Sequence, residues 1–252
     1  MGARHVQAFA TVLSSSYRPR AIHSLLPYCS VPKTALIAGA SGLVGSQLLP
    51  LLLASERYER VIAVGRRPLP VVHPKLEQRL LDFDNLEQHR LQLIADDVFC
   101  CLGTTMRQAG SREAFYQVDY LYVVKLAALT AANFAAQLLL VSAMGADARS
   151  RIYYNRVKGE MEEAVAQAPF RAIHIFRPSL LLGRRAQPRL GERLGAAVLR
   201  VLRPVLRGPL QKYRAITAGA VARAMLRAAE AEGSGHHVHL SDAIAKESAR
   251  TR

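Results

Sequence analysis

The stretch "TALIAGASGLVGSQLLPLLLA", Thr34 to Ala54, decides the fold. Its first six residues, Thr34 to Gly39, form a short apolar run of the kind that makes a strand buried on both faces. Glycines then recur at 39, 42 and 45, and the last opens into an apolar segment with helical spacing, Leu43 to Ser55. Glycine at these points lets the backbone come close to a pyrophosphate and lets the helix pack on the sheet. The free N–H groups and dipole of the helix start then hold the negative charge. Strand, glycine turn and helix in that order predict a nucleotide-binding loop, with Gly39, Ser41, Gly42, Leu43, Val44 and Gly45 as the contacting residues.

Working outward, the same alternation continues. Strands are expected at "TALIAG", "RVIAVG", "LEQRLL", "DVFCCL", "QLLLVS", "RAIHIF" and "HHVHL". Helices are expected over Leu43–Ser55, Asn85–Ile94, Arg112–Asn133, Asn155–Ala166, Leu190–Leu202 and Ala218–Ala231. Pro68, Pro70 and Pro74 mark a loop between the second and third strands. The pattern is that of an α/β protein whose parallel sheet is doubly wound, with helices on both faces. The 252 residues, half of them apolar, suffice for one large domain over 33–252. The segment 1–32 is set apart from the fold. It carries Arg4, Arg18, Arg20 and several serines, and the first acidic residue of the chain is Glu56. That profile suits an organellar transit peptide, and equally a disordered extension. A cytoplasmic location is the main expectation, with a mitochondrial one if residues 1–32 are a transit peptide.

No apolar run reaches the roughly 18 to 20 residues that a membrane span requires. The cysteines number three, with Cys100 and Cys101 adjacent and poorly placed to bridge, which fits buried thiols in a reduced compartment. The formal charge of +15 favours an anionic partner without choosing among a phosphate-bearing cofactor, an acidic membrane and nucleic acid. No nucleic-acid-binding motif or set of stacking aromatics accompanies the charge.

The second strand ends in "VGRRP". At that place an NAD site usually carries an acid for the ribose 2′-hydroxyl, and here stand Arg66 and Arg67. Guanidinium forks suit a phosphate, so the expected cofactor is NADP(H), with Arg66 as the phosphate ligand and Arg67 as its helper. Asp82 and Phe83 after the third strand lie near the adenine in such a fold, although Asp82 also suits a helix cap. After the fourth strand, Leu102, Gly103, Thr104 and Thr105 fall at a strand's carboxyl end, where open α/β sheets bind ligands. Cys101 reads as a packing residue, since no histidine accompanies it as a base.

Ser142 ends the fifth strand, and Tyr154 follows with Lys158 four residues further on. Four residues bring a helix nearly full circle, so Tyr154 and Lys158 share a face while Tyr153 points aside. Serine followed by a Tyr-Lys pair is the set that carbonyl reduction by a nicotinamide requires: Tyr154 gives the proton and Ser142 holds the carbonyl oxygen. A free phenol titrates near 10. A lysine ammonium about 4 Å away, at an effective dielectric near 20, is worth on the order of 4 kcal/mol, or about three pKa units before burial opposes it. The expectation is therefore a phenol made acidic by its neighbour.

These segments together resemble a short-chain dehydrogenase/reductase, and more narrowly the atypical branch that includes the Tat-interacting-protein-like oxidoreductases. The likeness rests on "GASGLVG", "VGRRP", "FCCLGTT", "VDYLYVVK", "SAMGAD", "YNRVKGEME" and "FRPSLLLG". It implies a Rossmann fold with NADP(H), and Ser142, Tyr154 and Lys158 in the catalytic roles. It also implies Arg66 at the adenosine phosphate, and Arg177, Pro178 and Ser179 beside the nicotinamide carboxamide. Many members carry an asparagine on the central helix, and here "VDYLYVVK" shows Asp119 and Lys125. The substrate implied is a small-molecule carbonyl or alcohol, handled by a monomer or homodimer. Some relatives are regulatory, which leaves a non-catalytic NADP(H)-binding scaffold as the alternative.

The segment 184–214 is rich in arginine, and Leu190, Leu194, Val198, Val201, Leu202 and Val205 align on one helical face. It is read as a lid over the substrate or an oligomer contact, with peripheral membrane contact through 190–207 as the alternative. His236, His237 and His239 are not expected to bind metal: alternation puts only His237 and His239 on one face, and no companion carboxylate or cysteine is expected nearby.

Overall fold

The computed structural model describes residues 32–182 and 214–249. The expected lid over 184–213, the helix 190–202, the membrane-facing reading of 190–207, Cys29 and the segment 1–31 lie outside the described residues. Strands β1 (Lys33–Ala38), β2 (Tyr58–Gly65), β3 (Leu76–Leu80), β4 (Asp97–Cys100), β5 (Gln137–Val141), β6 (Ala172–Arg177) and β9 (Gly235–Leu240) form one sheet in the order β3-β2-β1-β4-β5-β6-β9. Every pairing is parallel. This is the doubly wound Rossmann arrangement. The chain reverses direction across the sheet between β1 and β4, where ligands bind in such sheets. Two short strands, β7 (Leu181–Leu182) and β8 (Ile216–Thr217), pair separately.

Alternation along each central strand feeds two cores. Ile37, Phe99, Leu139 and Phe176 point to the face covered by α1 (Gly45–Ala54) and α6 (Ala218–Glu230). Leu36, Val98, Leu140 and Ile175 point to the face covered by α4 (Tyr122–Ala132) and α5 (Tyr153–Val165). The central strands are apolar on both sides because both sides are covered. At their amino ends, buried Asp97 accepts from Tyr58 Oη at 2.8 Å and from the Arg57 guanidinium at 3.1 Å. Burial and the Asp97 charge together push the Tyr58 phenol far up.

Two expectations on helices are corrected. The expected helix Asn85–Ile94 is a 3-10 turn, Leu86–Gln92. Leu86 is its one buried residue and Leu91 is largely exposed, so the segment has no apolar stripe to support a full α-helix. The expected continuous helix Arg112–Asn133 is α3 (Arg112–Tyr116), then a π-turn (Gln117–Leu121), then α4. A short helix, α2 (Met106–Ala109), precedes it, and a final helix, α7 (Ser241–Ala249), follows β9. Both were absent from the sequence reading. No helix among the described residues is long and apolar enough to cross a membrane.

Candidate active site

The glycine loop joins β1 to α1 across the carboxyl end of the sheet. Gly39 has φ +81°, and a Cβ there would stand 2.5 Å from the Cys101 carbonyl oxygen. The loop and the end of β4 are therefore in backbone contact. At Gly45 a Cβ would meet Gly39 O at 2.2 Å, so the first turn of α1 is pressed onto the strand end. The start of α1 has neither a capping side chain nor an acidic residue in its first turn, which leaves its N–H groups and dipole open to an anion.

Beside this loop lies a cleft of about 330 Å³ lined by Gly39, Ser41, Gly65, Arg66, Arg67 and Leu69, among others. That volume is at the lower end of the range for small-molecule sites. Arg66 and Arg67 are both exposed, and neither makes a hydrogen bond or ion pair among the described residues. Two unpartnered guanidiniums at the rim of a glycine-walled cleft suit a phosphate.

Asp82 and Phe83 are not among the residues lining that cleft. Asp82 accepts from Asp84 N at 3.0 Å and Asn85 Nδ2 at 2.7 Å, and these bonds hold its carboxyl below the usual range. It caps the turn that leads into the 3-10 segment. The Phe83 ring is buried in the core, 5.5 Å from the Tyr122 ring. Thr105 caps α2 by accepting from Gln108 N.

Tyr154 and Lys158 lie one turn apart on α5. Lys158 is buried, and its Nζ sits 2.8 Å from Asp119 Oδ1, which is itself fully buried. The second Asp119 oxygen accepts from Thr104 N at 2.8 Å. Burial, the largest single influence, lowers the Lys158 pKa, but Asp119 together with Tyr154 and Cys100 outweighs it and holds the ammonium above its usual range. The Tyr154 phenol is raised from its ordinary value. Burial is the largest cause; Lys158 pulls the phenol down and Asp119 pushes it up. The expected acidic phenol is thus corrected, because burial raises it more than the Lys158 ammonium lowers it, with Asp119 adding a smaller push upward. Of the two residues noted in place of the usual asparagine, Asp119 is at the site. Lys125 turns outward to Glu87 at 3.0 Å.

Ser142 is buried, and its hydroxyl donates to Glu162 Oε1. Glu162 is gripped by Arg177, whose Nε lies 3.0 Å from Oε2. Ser142's hydroxyl hydrogen is therefore engaged within the protein. The Pro178 carbonyl accepts from Met144 N at 3.0 Å, and Ser179 N donates to Ser241 Oγ at 2.6 Å. The backbone groups expected at a carboxamide thus have partners inside the protein. Cys100 and Cys101 carry thiols that burial pushes up, Cys100 to about 11. Neither is poised as a nucleophile.

Residues 35–241 match the model of the NAD dependent epimerase/dehydratase family. The chain belongs to that family. Among relatives of this epimerase/dehydratase chain, the protein HTATIP2 of Rattus norvegicus is 38% identical over 164 residues, covering 64% of this chain and 67% of that protein. The mitochondrial protein FMP52 of Candida glabrata is 35% identical over 159 residues, covering 61% and 66%. The resemblance to the Tat-interacting-protein-like branch is borne out by the first of these. Among solved structures, MoeE5 in complex with UDP-glucose and NAD superposes with a TM-score of 0.63 at 20% identity, covering 82% of this chain and 75% of that one. A UDP-glucuronic acid 4-epimerase from Bacillus cereus in complex with NAD gives 0.60 at 15% identity, covering 82% and 76%. Both show the fold.

Within this family member, three site features escaped sequence reading: Asp119 as the partner of Lys158, Glu162 as the partner of Ser142, and Gly159. A Cβ at Gly159 would stand 2.1 Å from Ala148 N, so the loop after β5 lies directly on α5. The glycine after Lys158 in "VKGE" was the available signal. The histidines also need a correction. His237 and His239 do share a face, with His174 of β6, but a carboxylate is present: Glu247 of α7 lies 3.1 Å from His239 Nδ1. Among the described residues no group of three potential ligands could hold a metal ion.

Proposed function

We propose that this epimerase/dehydratase-family chain is an NADP(H)-dependent oxidoreductase that reduces a small carbonyl compound or oxidises the matching alcohol. The observation that carries the reading is the Tyr154–Lys158 pair on α5, standing at the same edge of the sheet as the glycine loop. The residues present fit a dinucleotide: the cleft of about 330 Å³, the uncapped start of α1 and the two unpartnered arginines. When bound, the nicotinamide supplies the hydride. Arg66, with Arg67 beside it, would hold the 2′-phosphate and so favour NADP(H) over NAD(H). Gly39, Ser41, Gly42 and the start of α1 would hold the pyrophosphate. Tyr154 delivers its phenol proton to the carbonyl oxygen as that oxygen gains charge. Lys158 stays cationic through Asp119 and steadies the phenolate that remains.

Titration of the purified chain with NADPH and NADH, followed by a panel of aldehydes and ketones monitored through the reduced cofactor's absorbance, tests the reading. Tighter binding of NADPH and consumption with at least one carbonyl are expected. Tighter binding of NADH would overturn the role of Arg66.

A second reading, NADP(H) binding without turnover in a regulatory or scaffold role, is favoured by the engagement of Ser142 with Glu162. A full carbonyl panel without turnover, alongside firm NADPH binding, would support it.

Residues 1–32 are proposed as a mitochondrial targeting segment. The support is the lack of acidic residues before Glu56 and the mitochondrial names of the FMP52 relatives. A fluorescent protein carrying residues 1–32 should collect in mitochondria, and diffuse cytoplasmic fluorescence would count against the segment.

A further inference from the structure

The chain leaving β2 carries Arg66 and Arg67 at the rim of the cleft and is fastened on both sides of them to the neighbouring strand β3. Before the arginines, the Gly65 carbonyl accepts from Leu81 N at 3.0 Å. After them, the Gln78 side chain of β3 makes three bonds to backbone. Its Oε1 accepts from Leu69 N at 2.7 Å, and its Nε2 donates to Leu69 O at 3.2 Å and to Val71 O at 2.9 Å. The amide of Gln78 thus satisfies both backbone groups of Leu69, as a paired strand residue would. The sequence explains why a side chain is needed there. Pro68 and Pro70 have no N–H, so Leu69 holds the one backbone donor of residues 68–70. Each proline also pushes the residue before it, Arg67 and Leu69, toward extended backbone. Among the described residues, the backbone of 66–70 makes no other hydrogen bond. Gln78 itself lines the cleft, as does Ala63, its register partner on β2.

We propose that Gln78 is a positioning residue: it fixes the arch that carries Arg66 and Arg67 as a preformed seat for a phosphate monoester on an adenosine ribose. The phosphate part rests on the NADP(H) reading above. Both amide hydrogens of Gln78 are engaged by Leu69 and Val71, so it offers an anion no donor of its own. It acts through the arginines instead. An arch held at Gly65 and again at Leu69 has little left to order when the guanidiniums close on a phosphate, and that preorganisation strengthens binding. A nucleotide without the phosphate does not call on the arginines and gains nothing from the order of the arch.

Calorimetric binding of adenosine 2′,5′-bisphosphate and of 5′-AMP to the full chain tests the inference, with wild type set against Gln78→Met, a near-isostere that makes none of the three bonds. The bisphosphate should weaken by about tenfold, the cost of re-ordering roughly one backbone residue, while 5′-AMP stays within about twofold. Gln78→Glu keeps the acceptor for Leu69 N but turns a carboxylate toward the Leu69 and Val71 carbonyls, and should lose at least as much. Equal weakening of both nucleotides, or no weakening of the bisphosphate, would overturn the inference. Amide hydrogen exchange at Leu69 in the nucleotide-free chain reads the fastening by itself. Exchange should quicken in Gln78→Met, and an unchanged rate would also overturn the inference. The two readings fail differently. Wild type that binds the bisphosphate no more tightly than 5′-AMP brings down the NADP(H) reading and the phosphate role of Gln78 with it. Wild type that prefers the bisphosphate and keeps that preference in Gln78→Met brings down the role of Gln78 alone.

Discussion

Asp119 Oδ1 and Lys158 Nζ stand 2.8 Å apart, with 0% and 4% of their side chains exposed. Neither charge has bulk water to fall back on, so each is tolerated because the other is present. The pair also ties the β4 loop to α5 through Thr104 N, and so fixes the lysine relative to the sheet edge.

Removing one partner alone should therefore be costly. Lys158→Met is expected to lose about 3 to 5 kcal/mol of stability, read as a lower denaturant midpoint. Replacing both, Lys158→Met with Asp119→Leu, should recover most of that loss while abolishing turnover. A single variant as stable as wild type would show that the pair is not buried as described.

The arginines at the end of β2 make a cofactor prediction. Charge-assisted hydrogen bonds to a phosphate contribute about 1.5 to 3 kcal/mol, which is roughly ten- to a hundredfold in affinity. Arg66→Glu should weaken NADPH by at least that factor and leave NADH nearly unchanged. Fluorescence titration with both dinucleotides reads the difference directly.

Two glycines should respond in opposite ways to alanine. Gly159→Ala places a methyl group 2.1 Å from Ala148 N, and because that atom is backbone, the loop or the helix must shift. A loss of about 1 to 3 kcal/mol is expected. Gly219→Ala in α6 meets nothing closer than the Arg223 guanidinium at 3.5 Å. There alanine should raise stability by about 0.5 to 1 kcal/mol through helix propensity. Thermal melts of the two variants measure both signs.

His174 gives a pH dependence. It is 5% exposed, and burial, with the neighbouring His239 and His237, lowers its pKa to about 4 from 6.5. The unfolded chain takes up a proton as pH falls below about 6.5, whereas the folded one resists until about pH 4. Stability is therefore fully present above pH 6.5 and is lost through that window, by up to about 3 kcal/mol. His174→Phe should flatten this part of the stability–pH curve.

The sheet was legible because its signals are local: short apolar strands, a glycine turn and amphipathic helices. The Tyr154–Lys158 register was legible for the same reason, as one turn of helix. What sequence reading missed comes from contacts between segments. Asp119 meets Lys158 only because a π-turn rotates it inward, and such a turn leaves no plain mark in composition. Glu162 reaches Ser142 across 20 positions and Arg177 across 15, both set by the packing of α5 on the sheet. The acidic phenol was expected from Lys158 alone, whereas the burial that raises it most is set by packing between segments. α7 did carry a signal, Ser241 followed by Asp242 at a helix start, next to the histidine-rich strand.

The most direct measurement is carbonyl reduction by the Tyr154→Phe variant compared with wild type, with NADPH affinity determined on the same samples. Loss of a proton donor should lower turnover by about 10² to 10⁴-fold while the dissociation constant for NADPH stays within about twofold. Turnover by the variant at the wild-type rate would contradict the account.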